Sequence, residues 1–203
     1  MPHRKGKDIL SYLDPNELAE VMHQILIHHP DLRDEANSIA NDLLNDVSVE
    51  AVSEEVNDLI LGVGLEVLGN RAGKQPWGYV EPGEAAWEVF EESIEGIQND
   101  MKRRMQVGLE HSAGQLCQGI IIGLHNAMAA KCDGALACAP DFPAEAATQS
   151  VSDLIELYPR IRRRAAAKRI INGVEEHAEE WLEMLCRVVE TAISSKKKVR
   201  KSR

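Results

Sequence analysis

The chain of 203 residues is long enough for one large domain or two small ones, and its hydrophobic content of 44% can supply a sizeable core. The polar, basic start MPHRKGKD is unlike a secretory signal, and the most apolar stretch, residues 112–130, carries polar side chains and three glycines that argue against a membrane span. A chain of this length does not need its four cysteines as disulfides. These features predict a cytoplasmic protein without a transmembrane segment.

Charge is distributed unevenly along the chain. Residues 11–158 carry 7 Lys/Arg against 26 Asp/Glu, whereas residues 159–203 carry 13 Lys/Arg against 6 Asp/Glu. An acidic body therefore carries a basic C-terminal quarter. Such asymmetry is typical of contact with nucleic acid or a membrane surface, but the basic quarter can equally fold back on the acidic body. The sequence leaves both interpretations open.

Three amphipathic helices are predicted at the start of the chain. Asp14 and Glu17 have the spacing of a capping box, and apolar residues follow at helical intervals. Pro30 starts a second helix, and Ser48 caps a third. Because the connections are short, successive helices are expected to be antiparallel neighbours. The pattern predicts a three-helix N-terminal unit over residues 9–64.

Residues 65–83 are rich in glycine and proline, and we predict a connecting loop without helix. The segment Gly69–Lys74 superficially matches a phosphate-binding loop, but its spacing is one residue short and no Ser or Thr follows Lys74. We interpret the loop first as a structural clasp, held by its aromatic residues, and second as a binding loop. Its candidate interaction residues are Arg71, Lys74, Trp77 and Tyr79.

Residues 84–194 show further helical patterns and are predicted to form a C-terminal helical unit, followed by a basic tail over residues 195–203. The most apolar helix begins near Leu109 and is expected at the centre of the core. Gly119 and Gly123 lie four residues apart in it, so that a neighbouring helix could approach closely.

A turn is also predicted at Asn172–Gly173, before a last helix that starts near Val174. No segment alternates as a strand does, so strand content is predicted to be negligible. The predicted fold is all-α. It has about seven amphipathic helices in antiparallel helix–turn–helix succession, as an irregular bundle or short helical solenoid, within a single domain over residues 1–203.

Two basic clusters are candidate contacts for polyanions. Guanidinium groups bind phosphate in a bidentate manner, and basic tails attract nucleic acid or anionic lipid without sequence preference. The candidate contacts are Arg160, Arg163, Arg164 and Lys168 in the first cluster, and Lys196, Lys197, Lys198, Arg200 and Lys201 in the second. An acidic body repels polyanions, so the sequence favours a solubilising tail and an internal ion-pair face over this function.

No coherent catalytic or metal-binding set is found in the sequence. Glu20 and His23 form one Glu-x-x-His pair, but a two-metal helical site needs two such pairs, and no other histidine has a glutamate three positions earlier. Cys132 and Cys138 have His125 in their neighbourhood, but a fourth zinc ligand is not evident. We therefore predict no cofactor, no metal and no catalytic residue, and we lean towards a protein that is not an enzyme.

The sequence thus favours a non-enzymatic, cytoplasmic interaction or scaffold protein that binds another protein, with residues 65–83 near its recognition surface. Homo-oligomerisation remains open. The alternative is a nucleic-acid-associated protein that contacts the phosphate backbone through its basic clusters.

Overall fold

The structure is a computed structural model that describes residues 9–76, 78–130 and 134–195. Within these residues it is 82% helical, with nine α-helices and two short strands, so the all-α prediction is confirmed. The chain divides into two compact units, Met1–Leu43 and Leu44–Arg203.

The N-terminal unit contains α1 (Pro15–His28) and most of α2 (Arg33–Asn45), with 3₁₀ turns at Ile9–Tyr12 and Pro30–Leu32. The predicted capping box of α1 is present. The Asp14 carboxylate accepts hydrogen bonds from the backbone N–H groups of Asn16 and Glu17, and the Glu17 side chain accepts one from the Asp14 N–H at 3.0 Å. Among the described residues of this unit, α1 packs mainly on the turn that follows it, and α1 and α2 do not pack along their lengths.

The C-terminal unit holds the remaining regular elements. Its helices are α3 (Val49–Leu61), α4 (Leu65–Arg71), α5 (Pro82–Gln106), α6 (Glu110–Ala129), α7 (Phe142–Leu157), α8 (Arg160–Val174) and α9 (Leu182–Ser194). A hairpin of β1 (Gly73–Gln75) and β2 (Gly78–Val80) separates α4 from α5, and 3₁₀ turns occupy Ala135–Cys138 and Glu179–Trp181.

Helix α6 lies at the centre of the C-terminal unit, as its sequence predicts. It contacts α3, α5, α7 and α8. Its consecutive side chains Ile120, Ile121 and Ile122 are all buried although they point in different directions around the helix. Helices α7 and α9 pack against each other and complete the core.

Helix α3 reaches α6 at the two glycines. A Cβ atom added at Gly119 would lie 2.6 Å from the Val52 Cβ, and one added at Gly123 would lie 2.5 Å from the Ser53 carbonyl oxygen and 2.7 Å from the Val56 Cβ. The predicted close approach is therefore confirmed. The same contact groups α3 with the C-terminal unit.

The prediction of a loop without helix over residues 65–83 is wrong. Helix α4 forms because Leu68 is buried in the core and only 4% exposed, which outweighs the low helix propensity of Gly69. The hairpin that follows pairs its strands in antiparallel register, and Gly73 and Gly78 supply positive φ angles of 88° and 149°. Tertiary packing thus overrides the local signal.

The predicted turn at Asn172–Gly173 is also wrong. Helix α8 continues through these residues to Val174, because Ile170 and Val174 are buried and extend its apolar stripe. The last helix starts at Leu182, after a 3₁₀ turn, rather than near residue 174.

Among the helices that the structure describes, none combines the length and the apolar character required to cross a bilayer.

The α3–α6 contact predicts the effect of adding one methyl group. Gly123→Ala should lower the free energy of unfolding by about 1–3 kcal/mol, because the new Cβ meets the backbone of α3, which cannot yield as a flexible side chain does. Urea denaturation measures the change. Gly114→Ala is the matched control in the same helix, since nothing lies within 4 Å of its added Cβ, and it should gain up to about 1 kcal/mol. Equal effects at both positions would contradict the close packing.

Candidate functional site

The predicted interaction residue Arg71 is held by an ion pair. Its Nη1 and Nη2 donate to the two carboxylate oxygens of Glu92 on α5, at 2.8 and 2.6 Å. The hydrogen bond from Arg71 lowers the pKa of Glu92. This bidentate pair joins the end of α4 to α5, so Arg71 has a structural contact rather than a free guanidinium.

Two other residues of the predicted site are displayed by the hairpin. Lys74 and Tyr79 lie directly opposite each other in the β1–β2 register, and residues in such a pair share one face. Both are exposed, with Tyr79 at 66%. We call this pair the hairpin patch. Trp77, the fourth predicted residue, lies outside the described residues.

The first basic cluster occupies one exposed face of α8. Arg160, Arg164 and Lys168 are exposed and follow one another at intervals of four residues, which places them on the same side of the helix. Arg160 also donates a hydrogen bond from Nη2 to the Ser195 carbonyl at 3.1 Å. We call these three residues the α8 basic face.

Arg163 does not belong to that face and is withdrawn from the candidate polyanion contacts, because it is only 1% exposed. Its guanidinium donates to carbonyl groups at the carboxyl ends of two helices. At α7 it reaches Glu156 at 2.9 Å and Tyr158 at 3.2 Å, and at α9 it reaches Ala192 at 2.5 Å and Ser195 at 3.2 Å. A cation is favourable at helix carboxyl ends, where carbonyl groups lack partners.

The second basic cluster, with Lys196, Lys197, Lys198, Arg200 and Lys201, lies outside the described residues.

The N-terminal unit has a surface that the sequence analysis did not identify. None of its described residues is buried. Its exposed large apolar side chains are Ile9, Leu10, Tyr12, Leu18, Met22, Ile25, Ile27, Leu32, Ile39 and Leu43. The helical periodicity of this segment predicts amphipathic helices, but periodicity alone cannot tell a stripe that meets the chain's own core from one that faces outward.

On α2 the exposed apolar side chains are accompanied by acid groups. Ile39 and Leu43 are 53% and 72% exposed, and they lie one helical turn apart. Glu35 lies one turn before Ile39, and Asp42 lies three residues after it, so both carboxylates border the apolar stripe. Residues 9–43 as a whole carry seven Asp/Glu against one Arg. We call these four side chains the α2 stripe.

Two open grooves of similar size lie within the C-terminal unit. The α5–α7 groove, of about 560 Å³, has the buried floor residue Phe142 and a rim with many glutamates. The α8–α9 groove, of about 540 Å³, has an apolar floor and carries Arg164 and Lys168 on its rim. The two grooves thus offer opposite charges to a ligand or partner.

The described residues contain no cluster of three or more His, Cys, Asp or Glu side chains that could hold a metal ion. Within the same residues Cys117 is fully buried in α6, and this burial raises the pKa of its thiol to about 12, so it stays protonated and a poor nucleophile. His125 lies 3.9 Å from Glu180 through its Nε2 and packs edge-on against Trp181. These groups form no nucleophile–base pair to which a reaction can be assigned.

The fold defines an all-α protein with a packed C-terminal unit and an N-terminal unit that exposes apolar helix faces. Comparison of the chain with protein-family models, with curated proteins and with solved structures gives no match in any of the three.

Because the Arg163 guanidinium is buried, replacing Arg163 should lower stability strongly, whereas replacing its exposed neighbour Arg164 should have little effect. Arg163→Ala should lower the free energy of unfolding by at least about 3 kcal/mol, because several buried carbonyl groups lose their donor. Arg164→Ala, at the next position and exposed, should change it by less than about 0.5 kcal/mol. Thermal or urea unfolding of the two variants tests this, and similar small effects would show that Arg163 does not tie the helix ends.

Proposed function

We propose that this chain is a helical interaction protein in which the C-terminal unit is a stable scaffold and the N-terminal unit binds a protein partner. The observation that supports this most directly is that residues 9–43 bury none of their described side chains while exposing ten large apolar ones. Exposed apolar groups on this scale mark interaction surfaces in soluble proteins.

The energetic argument follows from the size of the unit. A segment of about 40 residues does not usually form a stable core without disulfides, metal or association. Each Leu or Ile side chain that becomes fully buried contributes about 1.5–3 kcal/mol, so covering even a few residues of this unit is a substantial driving force. A partner with a complementary apolar face would supply that burial, in the manner of helix recognition by a groove.

The proposal includes two further points. The function is non-enzymatic, a proposal supported by the lack of a nucleophile–base pair among Cys117, His125 and Glu180 in the described part of the chain. Its place is the cytoplasm, which is consistent with the free thiols of the described cysteines Cys117, Cys138 and Cys186.

The test compares two substitutions on opposite faces of α2. Ile39→Glu puts a charge into the α2 stripe, whereas Asn41→Glu adds the same charge two residues further on, on the other side of the helix. Both positions are exposed, so neither substitution should affect folding. A partner recovered with the full-length chain should bind Ile39→Glu at least about tenfold more weakly, and Asn41→Glu as the unchanged protein does.

Hydrogen exchange on the purified complex provides the second readout. Amide groups of α1 and α2 should exchange quickly in the free protein and become protected when the partner is bound. The proposal fails if both variants bind equally well, or if protection is confined to the C-terminal unit. Turnover of a substrate that is lost on changing one residue of a groove would contradict the non-enzymatic role.

A second candidate function is contact with a nucleic-acid backbone. The α8 basic face supports it, since Arg160, Arg164 and Lys168 are exposed on one side of a helix. The withdrawal of Arg163 and the acidic composition of the rest of the chain weigh against it.

Binding to a duplex oligonucleotide at several salt concentrations tests this candidate. If it is right, Arg164→Gln should reduce the slope of log Kobs against log salt by about 1, whereas Lys74→Gln, an equally exposed cation on the hairpin patch, should leave the slope unchanged. Absence of measurable binding at low salt would eliminate it.

A further inference from the structure

The α8–α9 groove combines an apolar floor with a basic rim. Ala167 and Val189 are buried in its floor, Ile171 and Ile193 are half-buried beside them, and the groove holds about 540 Å³. Arg164 and Lys168 of the α8 basic face line one side of it, and Glu190 of α9 lines the other side, so the rim carries two cations against one carboxylate. A groove of this kind fits an amphipathic helix with apolar and acidic side chains.

The α2 stripe has that combination on one helix face. Its two carboxylates, Glu35 and Asp42, are seven residues apart, which corresponds to about 10 Å along a helix. The two cations on the groove rim, Arg164 and Lys168, are four residues apart on α8, or about 6 Å, and their long side chains could each pair with one of these carboxylates if the two helices lie side by side. Ile39 and Leu43 would then meet the apolar floor between them.

Charge also selects between the two grooves. The α5–α7 groove carries Glu88, Glu91, Glu95 and Glu145 on its rim and only one lysine, Lys102, which is paired with Asp153 at 2.7 Å. An acidic helix would be repelled there, whereas the α8–α9 rim attracts it.

We infer that the partner of the N-terminal unit is a second copy of this chain, whose α8–α9 groove binds the α2 stripe. The inference rests on the proposed function and identifies the protein partner that the N-terminal unit binds. The contact joins two different surfaces, and the smallest closed assembly is a two-fold symmetric dimer in which each copy gives its α2 stripe to the groove of the other. Each contact is small, so the dimer should be weak and its population should depend on concentration.

Sedimentation of the full-length protein over a range of concentrations tests the inference. The unchanged chain should pass from monomer to dimer as its concentration rises. Ile39→Glu, in the stripe, and Lys168→Glu, on the groove rim, should each weaken dimerisation at least about tenfold. The matched control, Asn41→Glu on the opposite face of α2, should dimerise as the unchanged chain does.

Mixing the two defective variants identifies which surfaces meet. Ile39→Glu retains an intact groove and Lys168→Glu retains an intact stripe, so the mixture should form a heterodimer through one good contact although neither variant dimerises by itself. If two α2 stripes paired with each other, Lys168→Glu would still dimerise and mixing would restore nothing. That result would overturn the assignment of the groove.

A chain that stays monomeric at every concentration would overturn the self-association. The proposed function would survive that outcome if a different protein bound the chain with protection of α2 and with loss of binding in Ile39→Glu. If no binding event of any kind responded to Ile39→Glu, the proposed function itself would fail. The two failures are therefore distinguishable, and circular dichroism of each variant shows that loss of binding does not reflect loss of fold.

Discussion

The close packing of α3 on α6 is the constraint on which the C-terminal unit depends. Because Gly119 and Gly123 have no side chains, the α3 backbone and the branched side chains of Val52 and Val56 lie directly against α6. This contact buries the inner face of α3. Helices α5, α7 and α8 contact the other sides of α6. Two helix-destabilising residues are tolerated because dense packing compensates for their low propensity.

A second constraint acts at the other side of the core, where Arg163 ties the carboxyl ends of α7 and α9 together. Its burial has a consequence for the surface. With Arg163 directed inward, Arg160, Arg164 and Lys168 are directed outward, and Arg164 and Lys168 border the groove between α8 and α9. The burial of Arg163 thus sets which cations of α8 are exposed. The adjacent arginines Arg163 and Arg164 have different positions, one in the core and one on the surface.

The sequence was sufficient for the all-α fold, for the capping box at Asp14 and for the close approach at the two glycines, because these depend on local spacing and on residue type. It was insufficient for α4 and for the end of α8, where burial of Leu68 and Val174 outweighs glycine and turn signals. The sequence could not show that Arg163 is buried and Arg164 is exposed, since only the packed structure shows which of the two side chains faces the core. The outward stripe of α2 had a faint signal in its frequent Asp and Asn residues, which are unusual beside a core.

The two units differ in how fully they bury their apolar side chains and pair their charged ones. The C-terminal unit buries its aliphatic residues, pairs Arg71, Arg162 and Lys102 with carboxylates, and places its one buried guanidinium against carbonyl groups. The N-terminal unit has amphipathic helices of the same kind, but none of its described residues is buried, and residues 9–43 carry seven acid groups against one arginine. Folding such a segment costs conformational entropy that contacts within a segment of this size do not usually offset, and the proposed association would supply the missing burial. Since its surface is both apolar and acidic, the complement must be both apolar and basic, and the chain itself carries one such surface between α8 and α9.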